Sequence, residues 1–270
     1  MQNIEDLKNI AKTIRRDIID EVYTASSGHP GGSLSVTDVL TVLYFNQMNI
    51  NPNVPKDEDR DRLVLSKGHC CPALYATLAN RGFFDKSLLK EFRKLGSILQ
   101  GHPDMKKIPG IDMSSGSLGQ GLSAANGMAL AAKLDGKNYR VYCIVEDGEI
   151  QEGQVWEAAM SASHYKLDNL CLIVDNNNLQ IDGNVSDVMG VEPIDEKFKS
   201  FGFETIVIDG NNIQEIIEAF EKAKQIKGKP TAIIAKTIKG KGVSYMENKA
   251  GWHGKAPNQE EYEQAMKELI

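Results

Sequence analysis

Four carboxylates crowd the stretch "VEDGEIQEG" at 145–153, where the apolar run "VYCIV" ends. They are Glu146, Asp147, Glu149 and Glu152. Acidic side chains favour the first turn of a helix, where free N–H groups and the helix dipole stabilise negative charge. Alternatively, one of these acids binds a metal ion, and the metal in turn binds an anion. The stretch by itself leaves both explanations open.

A second oxygen donor follows another apolar run. Asn177 lies thirty residues after Asp147, just past "NLCLIVD". If the two runs are neighbouring strands, a carboxylate and an amide oxygen converge on one crevice, and Mg²⁺ prefers such oxygen ligands together with phosphate oxygens. Gly148 would let the backbone approach a phosphate beside the start of the next helix. Asp and Asn after strands also serve as turn or cap residues, so this alternative stays open.

The glycine-rich stretch "SSGSLGQG" at 114–121 is a candidate ligand loop. Its glycines do not follow the G-x-G-x-x-G order, and no Gly-Lys-Ser/Thr follows them. The stretch therefore matches neither a dinucleotide-binding fingerprint nor a Walker loop. A closely packed helix N-terminus and a loop that lines a ligand remain as alternatives.

Histidine placement gives a further pattern, because four of the five histidines lie beside glycine in loop-like sequence. They are His29 in "GHPGG", His69 in "KGHCCPALY", His102 in "QGHPD" and His253 in "GWHGK". Each alone also fits a turn or surface position. Together they predict a wet polar cavity that needs neutral donors and proton shuttles near pH 7. His164, in the helical text "SASHYKL", is interpreted as structural.

The hydrophobic periodicity of the sequence predicts the helices and strands that position these residues. Helical spacing covers 4–24, 36–46, 118–134, 150–165, 212–226 and 259–269, and strand-length apolar runs cover 62–66, 140–145, 169–175, 204–209 and 231–236. Strands that are apolar on both faces and alternate with helices predict a doubly wound α/β fold, in which a mainly parallel sheet has helices on both faces. Such sheets bind ligands beyond the carboxyl ends of their strands. One compact domain over 1–270 is expected.

Bulk composition excludes several classes of protein. The 270 residues are 41% hydrophobic and 25% charged with a net charge of -6, which predicts a soluble globular protein and argues against a nucleic-acid partner. The N-terminus lacks an apolar signal core, and the uncharged stretch 113–132 is too rich in Gly, Ser, Gln and Asn for a membrane span. Four cysteines without metal or disulfide spacing predict reduced thiols and a cytoplasmic location.

Read whole, the stretch "EDGEIQEGQVWEAAMSASHYKLDNLCLIVDNNNLQIDG" resembles the thiamine diphosphate fingerprint of transketolases, and the resemblance extends over nearly the entire chain. It implies the diphosphate-binding domain of the thiamine diphosphate fold. By this resemblance, Mg²⁺ (with Ca²⁺ or Mn²⁺ as substitutes) is held by Asp147, the side chain of Asn177 and the carbonyl of Leu179. Glu149 and Glu152 are then interpreted as helix-start residues.

The resemblance also assigns roles to the loop residues. It implies catalytic roles for His29, His69, His102 and His253, with His69 near the diphosphate and the other three near the donor ketose. Cofactor contacts are implied for His69, Gly116, Ser117, Leu118, Gly148, Asn177, Lys236 and His253. For Lys236, in "AKTIKGKG", a solvated lysine in a basic loop is the alternative.

Glu146 departs from the family pattern, which has glycine at this position. A carboxylate here should repel the diphosphate unless it turns away or finds a cation. Three outcomes follow, and the sequence leaves them open: the chain tolerates the change, binds the cofactor more weakly, or has lost binding.

Full-length transketolases carry further domains that this chain lacks. The pyrimidine-binding domain supplies the glutamate that activates the cofactor, and arginines outside this part grip the sugar phosphate. The resemblance therefore implies the N-terminal subunit of a split transketolase. It would be inactive without its C-terminal subunit, with which it would form an α₂β₂ heterotetramer by analogy. With its partner it would transfer a two-carbon ketol unit from a ketose phosphate to an aldose phosphate, as in the pentose phosphate pathway.

Other interpretations stay open. A fragment of a longer gene product, another thiamine diphosphate-dependent ketol transferase or synthase, and a non-catalytic relic of the diphosphate domain all fit part of the pattern. The motifs "GHPGGSLS", "QGHPD" and "GWHGK" favour transketolase over deoxyxylulose phosphate synthase. A nicotinamide dehydrogenase lacks support because its glycine fingerprint is missing. The sequence does not identify the ketose or the aldose.

Overall fold

The computed structural model describes residues 2–270, and its central element is a five-stranded sheet. The strands in chain order are β1 (Arg62–Leu65), β2 (Val141–Glu146), β3 (Leu170–Asn176), β4 (Leu179–Gln180), β5 (Gly183–Asn184), β6 (Glu204–Asp209) and β7 (Thr231–Lys236). The five long strands pair in parallel in the order β1-β2-β3-β7-β6, while β4 and β5 form a small antiparallel hairpin. All carboxyl ends of the sheet strands therefore lie at one edge.

Ten helices surround this sheet in residues 2–270. They are α1 (Ile4–Thr24), α2 (Pro30–Ser35), α3 (Thr37–Val42), α4 (Cys71–Arg81), α5 (Gln120–Leu134), α6 (Gly153–His164), α7 (Val185–Val188), α8 (Ile194–Ser200), α9 (Ile213–Gln225) and α10 (Gln259–Glu268). Asn3 caps α1 by accepting a hydrogen bond from the Asp6 backbone N–H at 2.9 Å. This cap satisfies one of the free N–H groups at the helix start.

Side chains of the buried strands alternate between two hydrophobic cores. On β2, Tyr142 and Ile144 join the core beneath α1, α3, α4 and α9, whereas Val141, Cys143 and Val145 join the core beneath α5, α6 and α8. Strand geometry explains the alternation, because successive side chains point to opposite faces. Helices cover both faces, so the predicted doubly wound α/β fold is confirmed.

Periodicity did not predict the short helices α7 and α8 or the buried helices α2 and α4. All of α2 is buried, as are nine residues of α4, so neither shows the polar face that makes a helix visible in sequence. The helix predicted over 36–46 ends as α3 at Val42 and continues as a π-helical turn, Leu43–Gln47. Across residues 2–270, no helix combines the length and the hydropathy needed to cross a bilayer.

The loops that leave the carboxyl edge of the sheet carry most of the residues with candidate chemistry. Lys67 and His69 follow β1, Asp147 follows β2, Asn177 follows β3, and Lys239 follows β7. Neighbouring parallel strands thus bring together residues that are far apart in sequence.

Candidate active site

A cavity of about 370 Å³ opens beyond the carboxyl edge of the sheet. Its lining includes His29, His69, Gly116, Leu118, Glu146, Gly148 and His253. The position is the one where open parallel sheets bind ligands, and the volume lies in the range of small-molecule sites.

Oxygen donors for a cation lie beside this cavity, on the turns after β2 and β3. Asp147 accepts hydrogen bonds from the backbone N–H groups of Gly148, at 2.8 Å, and of Asn178. The Asn177 side-chain oxygen accepts from the Leu179 N–H at 3.0 Å. Carboxylate, amide and carbonyl oxygens are ligands that suit a hard divalent cation.

Electrostatics at Asp147 also fits a cation. Its side chain is fully buried, and burial followed by the nearby charge of Glu146 raises its pKa to about 7. Two adjacent buried carboxylates are unfavourable without positive charge. The residues present therefore fit the divalent cation that the sequence resemblance implies, and such a cation would offset the cost of burying them.

Glu146 lies in a nest of donors. One carboxylate oxygen lies 3.4 Å from the ammonium nitrogens of both Lys67 and Lys239, and accepts from the Asn177 side-chain amide at 2.9 Å. The other oxygen lies 3.4 Å from Nε2 of His69, an ion-pair distance without hydrogen-bond geometry. Burial alone would raise the Glu146 pKa, but Lys239, Lys67 and His69 outweigh it and hold the pKa well below the ordinary 4.5.

The two lysines of this nest are wholly buried. Lys67 donates to the Asp175 carboxylate and to the Gly32 carbonyl at 3.1 Å. Burial opposes its charge, yet Asp175 and other neighbours outweigh that and raise the Lys67 pKa well above 10.5. Lys239 donates to the Leu179 carbonyl at 2.8 Å. Both ammonium groups are thus held in place by acceptors.

Three imidazoles face one another in the cavity. The ring centroids of His29, His69 and His253 lie 5.1–5.4 Å apart. Burial, followed by the nearby positive charges, lowers the pKa of His29 to about 4 and that of His253 to about 3. Burial also opposes a charge on His69, but Cys70 and Glu146 raise its pKa to about 10. The cavity therefore holds two neutral rings beside one protonated ring near pH 7.

The tautomer of His29 follows from its neighbour. Nη2 of Arg93 lies 3.5 Å from Nδ1 of His29. A guanidinium only donates, so Nδ1 accepts and the neutral ring carries its proton on Nε2. Nδ1 of His253 is buried without a hydrogen-bond partner in the described residues.

Some predicted site residues lie elsewhere. Ser117 is exposed and is not part of the cavity lining. His102 is exposed and packs against Gly116, where an added Cβ would lie 3.0 Å from its ring. Lys236 is the last residue of β7 and is also exposed, so the structure does not bring it to the cluster predicted for it. Lys239, three residues further along the loop, reaches Glu146 instead.

Glu149 has a larger role than the helix-start interpretation gave it. It does begin a short 3₁₀ turn, Glu149–Gln151, but its carboxylate is 1% exposed. It accepts from the backbone N–H groups of Gly119 at 2.9 Å and Glu146 at 3.1 Å, and from the Ser66 hydroxyl. One carboxylate therefore joins the turns after β1 and β2 to the glycine-rich loop. Glu152 is the N-cap residue of α6, but its side chain makes no capping hydrogen bond.

Sequence reasoning also missed Lys67 and Lys239. The available signal was position: Lys67 comes directly after the predicted strand 62–66, in "SKGH", and Lys239 stands in the glycine-flanked text "KGKG". Lysine is common in solvated loops, so its sequence context alone does not distinguish a buried cation from a surface residue.

The neutral histidines predict a pH dependence of stability. Unfolded histidine has a pKa near 6.5, whereas His29 and His253 stay neutral in the folded chain down to about pH 4. The unfolded state therefore binds more protons as pH falls below 6.5, and the folded state loses stability over that interval. In urea unfolding between pH 8 and pH 5, the wild-type chain should lose stability faster than a His29→Gln/His253→Gln double variant.

His164→Gln is the control for this experiment, because it removes an exposed imidazole at the end of α6. Equal slopes of unfolding free energy against pH in the wild type and the double variant would contradict neutral burial of the two rings.

Comparison with known proteins gives a consistent result. The family model for the transketolase thiamine diphosphate binding domain matches residues 7–269. The chain is 47% identical over 264 residues to a 6-deoxy-6-sulfo-D-fructose transketolase subunit of a Clostridium species, covering 98% of this chain and 96% of that protein. It is 44% identical over 266 residues to an apulose-4-phosphate transketolase subunit of Phocaeicola vulgatus, covering 98% and 94%.

Solved structures agree in fold. The crystal structure of transketolase from Campylobacter jejuni superposes with a TM-score of 0.94 at 38% identity, over 99% of this chain. That match spans 43% of the Campylobacter chain, so this chain spans less than half the length of that solved transketolase.

Proposed function

The chain belongs to the transketolase family as its thiamine diphosphate-binding part, and we propose that it is the N-terminal subunit of a two-chain transketolase. In this proposal it transfers a two-carbon ketol unit from a ketose to an aldose phosphate with thiamine diphosphate and Mg²⁺. One observation carries the proposal: cation-type oxygen donors, buried lysines and neutral histidines all converge at the carboxyl edge of one sheet.

Individual residues of the cluster suit the parts of the cofactor. The side chains of Asp147 and Asn177 and the carbonyl of Leu179 would hold Mg²⁺, and Lys67 and Lys239 supply positive charge for the diphosphate. Gly116, Leu118 and Gly148 also line the cavity. When bound, thiamine diphosphate supplies the carbon nucleophile that allows a carbon–carbon bond of the ketose to break.

The histidines would handle the substrate hydroxyls. In the tautomer inferred above, His29 would donate from Nε2 to a substrate hydroxyl, and His253 is a second ring that lines the cavity. His69 carries a proton beside Glu146. Neutral and protonated imidazoles at close range can hold and move protons near pH 7. His102 lies next to Gly116, which lines the cavity, and its role towards the donor ketose stays a proposal.

A second chain is part of this proposal. The described residues form one diphosphate-type sheet, and the names of two relatives specify single subunits of a transketolase. We assign the pyrimidine-binding and C-terminal domains, with the activating glutamate, to that partner, and an α₂β₂ assembly by analogy. The chain alone should then lack ketol transfer. The cytoplasmic location predicted from the cysteines fits the four free buried thiols.

The donor sugar is the least constrained part of the proposal. The two relatives are named for apulose-4-phosphate and for 6-deoxy-6-sulfo-D-fructose, which differ in the anionic group at the sugar end. The sequence-based expectation of a pentose phosphate substrate therefore becomes one of three donors to compare. We assign the residues that determine selectivity between a sugar phosphate and a sugar sulfonate to the partner chain.

The test isolates the native assembly. The tagged chain is purified from its own cells with any bound partner, and ketol transfer to ribose 5-phosphate is measured with xylulose 5-phosphate, apulose 4-phosphate or 6-deoxy-6-sulfofructose. Each assay is run with and without thiamine diphosphate and Mg²⁺, and the chain produced alone is the control. We expect transfer from one donor that requires the cofactor, the metal and the co-purified partner.

Two outcomes would contradict the proposal. Activity of the chain produced alone would show that the activating carboxylate lies in this chain. A co-purified partner without transfer from any donor, and without binding of thiamine diphosphate, would favour a non-catalytic diphosphate domain.

A further inference from the structure

Glu146 sits where its carboxylate can be held by the same donors that an anionic ligand would use. It contacts both buried lysines and the Asn177 amide, and it lies 3.4 Å from Nε2 of His69. It lines the cavity floor and is itself 5% exposed. Three groups donate hydrogen bonds to this carboxylate and the His69 ring lies at ion-pair distance, so the protein stabilises the buried anion.

The backbone also leaves little freedom for this carboxylate. A Cβ built on Gly32 would lie 3.1 Å from the carboxylate oxygen that contacts the lysines. The Glu146 N–H is fixed by the buried Glu149 carboxylate at 3.1 Å. The close approach of Gly32 and the backbone hydrogen bond to Glu149 therefore hold the Glu146 carboxylate beside the ammonium groups of Lys67 and Lys239.

Charge balance in the cluster determines what a second anion would meet. Four buried carboxylates, Glu146, Asp147, Glu149 and Asp175, lie in the cluster with the ammonium groups of Lys67 and Lys239 and with the His69 ring, 3.4 Å from Glu146. A diphosphate would meet lysines whose charge Glu146 and Asp175 already balance, and it would also face the Glu146 carboxylate itself. Like charges at such distances repel strongly in a buried site.

We propose that Glu146 is an internal anion of the diphosphate subsite, which competes with the incoming diphosphate for Lys67 and Lys239. This inference rests on the proposed function. It assigns Glu146 two effects of opposite sign: the carboxylate stabilises the ligand-free chain by pairing the lysines, and it weakens the binding of diphosphate. A residue with a purely structural role would, when replaced, weaken stability and binding together.

Direct binding measurements test this without any assay of activity. Inorganic pyrophosphate with Mg²⁺ is titrated calorimetrically into the full chain as wild type, Glu146→Gln and Glu146→Gly. Glutamine keeps the shape and removes the charge, whereas glycine removes both. We expect pyrophosphate to bind about tenfold more tightly to both variants, because a nearby like charge is removed. Thermal unfolding without ligand should occur at a lower temperature in both variants.

Glu152→Gln is the matched control, since Glu152 also lines the cavity but makes no side-chain hydrogen bond at the start of α6. It should shift the dissociation constant much less than Glu146→Gln. Equal or weaker binding in the folded Glu146→Gln chain overturns the inference while leaving the subsite intact. Absence of pyrophosphate binding in every variant overturns the inference and the proposed cofactor site together.

Discussion

Replacing Asp147 with asparagine should lower the affinity for Mg²⁺ and thiamine diphosphate at least about 100-fold, since even residues one shell outside a metal site contribute roughly 10- to 100-fold. Asparagine keeps one oxygen, which can accept from the Gly148 N–H, now 2.8 Å away, whereas its NH₂ group replaces the oxygen that accepts from the Asn178 N–H. The substitution removes the charge that a hard divalent cation requires. Calorimetric titration of thiamine diphosphate with Mg²⁺ into the isolated chain or the assembled complex measures this loss.

Asp182→Asn is the control for this prediction. Asp182 lies on the rim of the same cavity and is exposed, so its replacement removes one negative charge at the rim and leaves the oxygen donors after β2 and β3 unchanged. We expect near wild-type affinity in Asp182→Asn. Equal losses in both variants would show that Asp147 acts through general electrostatics and is not a metal ligand.

Much of the fold could be predicted because its strands are buried on both faces. The apolar run "VYCIV" contains no polar interruption, and the corresponding strand β2 is buried at all six positions. Sequence periodicity also located α1, α5, α6, α9 and α10 closely. It failed at α2 and α4, because a helix buried on every side loses the alternation that marks its solvent face.

The site was only partly predictable for a different reason. Asp147 and Asn177 were predicted to lie close together because they directly follow strands whose carboxyl ends share one edge, and the structure places them after β2 and β3. Lys239 was missed because its contact with Glu146 depends on a long side chain that turns back from a loop ninety-three residues away in sequence. Local sequence fixes which strand a residue follows, whereas the direction of a long flexible side chain depends on tertiary contacts.

The same distinction explains Glu146. Sequence marked it as a carboxylate where the family has glycine and left its effect open. The structure supplies the missing fact, which is the pair of buried lysines around it. A negative charge that would be costly alone becomes part of a buried ion network. If the cluster binds diphosphate as proposed, the same network links cofactor affinity to stability, and the lysines should be as important to folding as to binding.

Lys67→Met should therefore be the most destabilising single change in the cluster. The ammonium group donates to Asp175 and Gly32 and lies 3.4 Å from Glu146, and the side chain is wholly buried. Methionine fills similar volume but leaves two buried carboxylates without this cation. Breaking a buried ion pair from one side typically costs about 3–5 kcal/mol, and urea unfolding at pH 7 measures it.

Two comparisons separate lost charge pairing from lost packing. Lys8→Met breaks the exposed pair with Glu5 on α1, whose side chains are 58% and 73% exposed, and it should barely move the unfolding midpoint because exposed pairs contribute little. Lys67→Met combined with Glu146→Gln removes one of the unpaired charges, so its loss of stability should be smaller than the sum of the two single losses. Strict additivity would mean that Lys67 and Glu146 act independently, and Glu146 would then not balance the charge on which diphosphate binding depends.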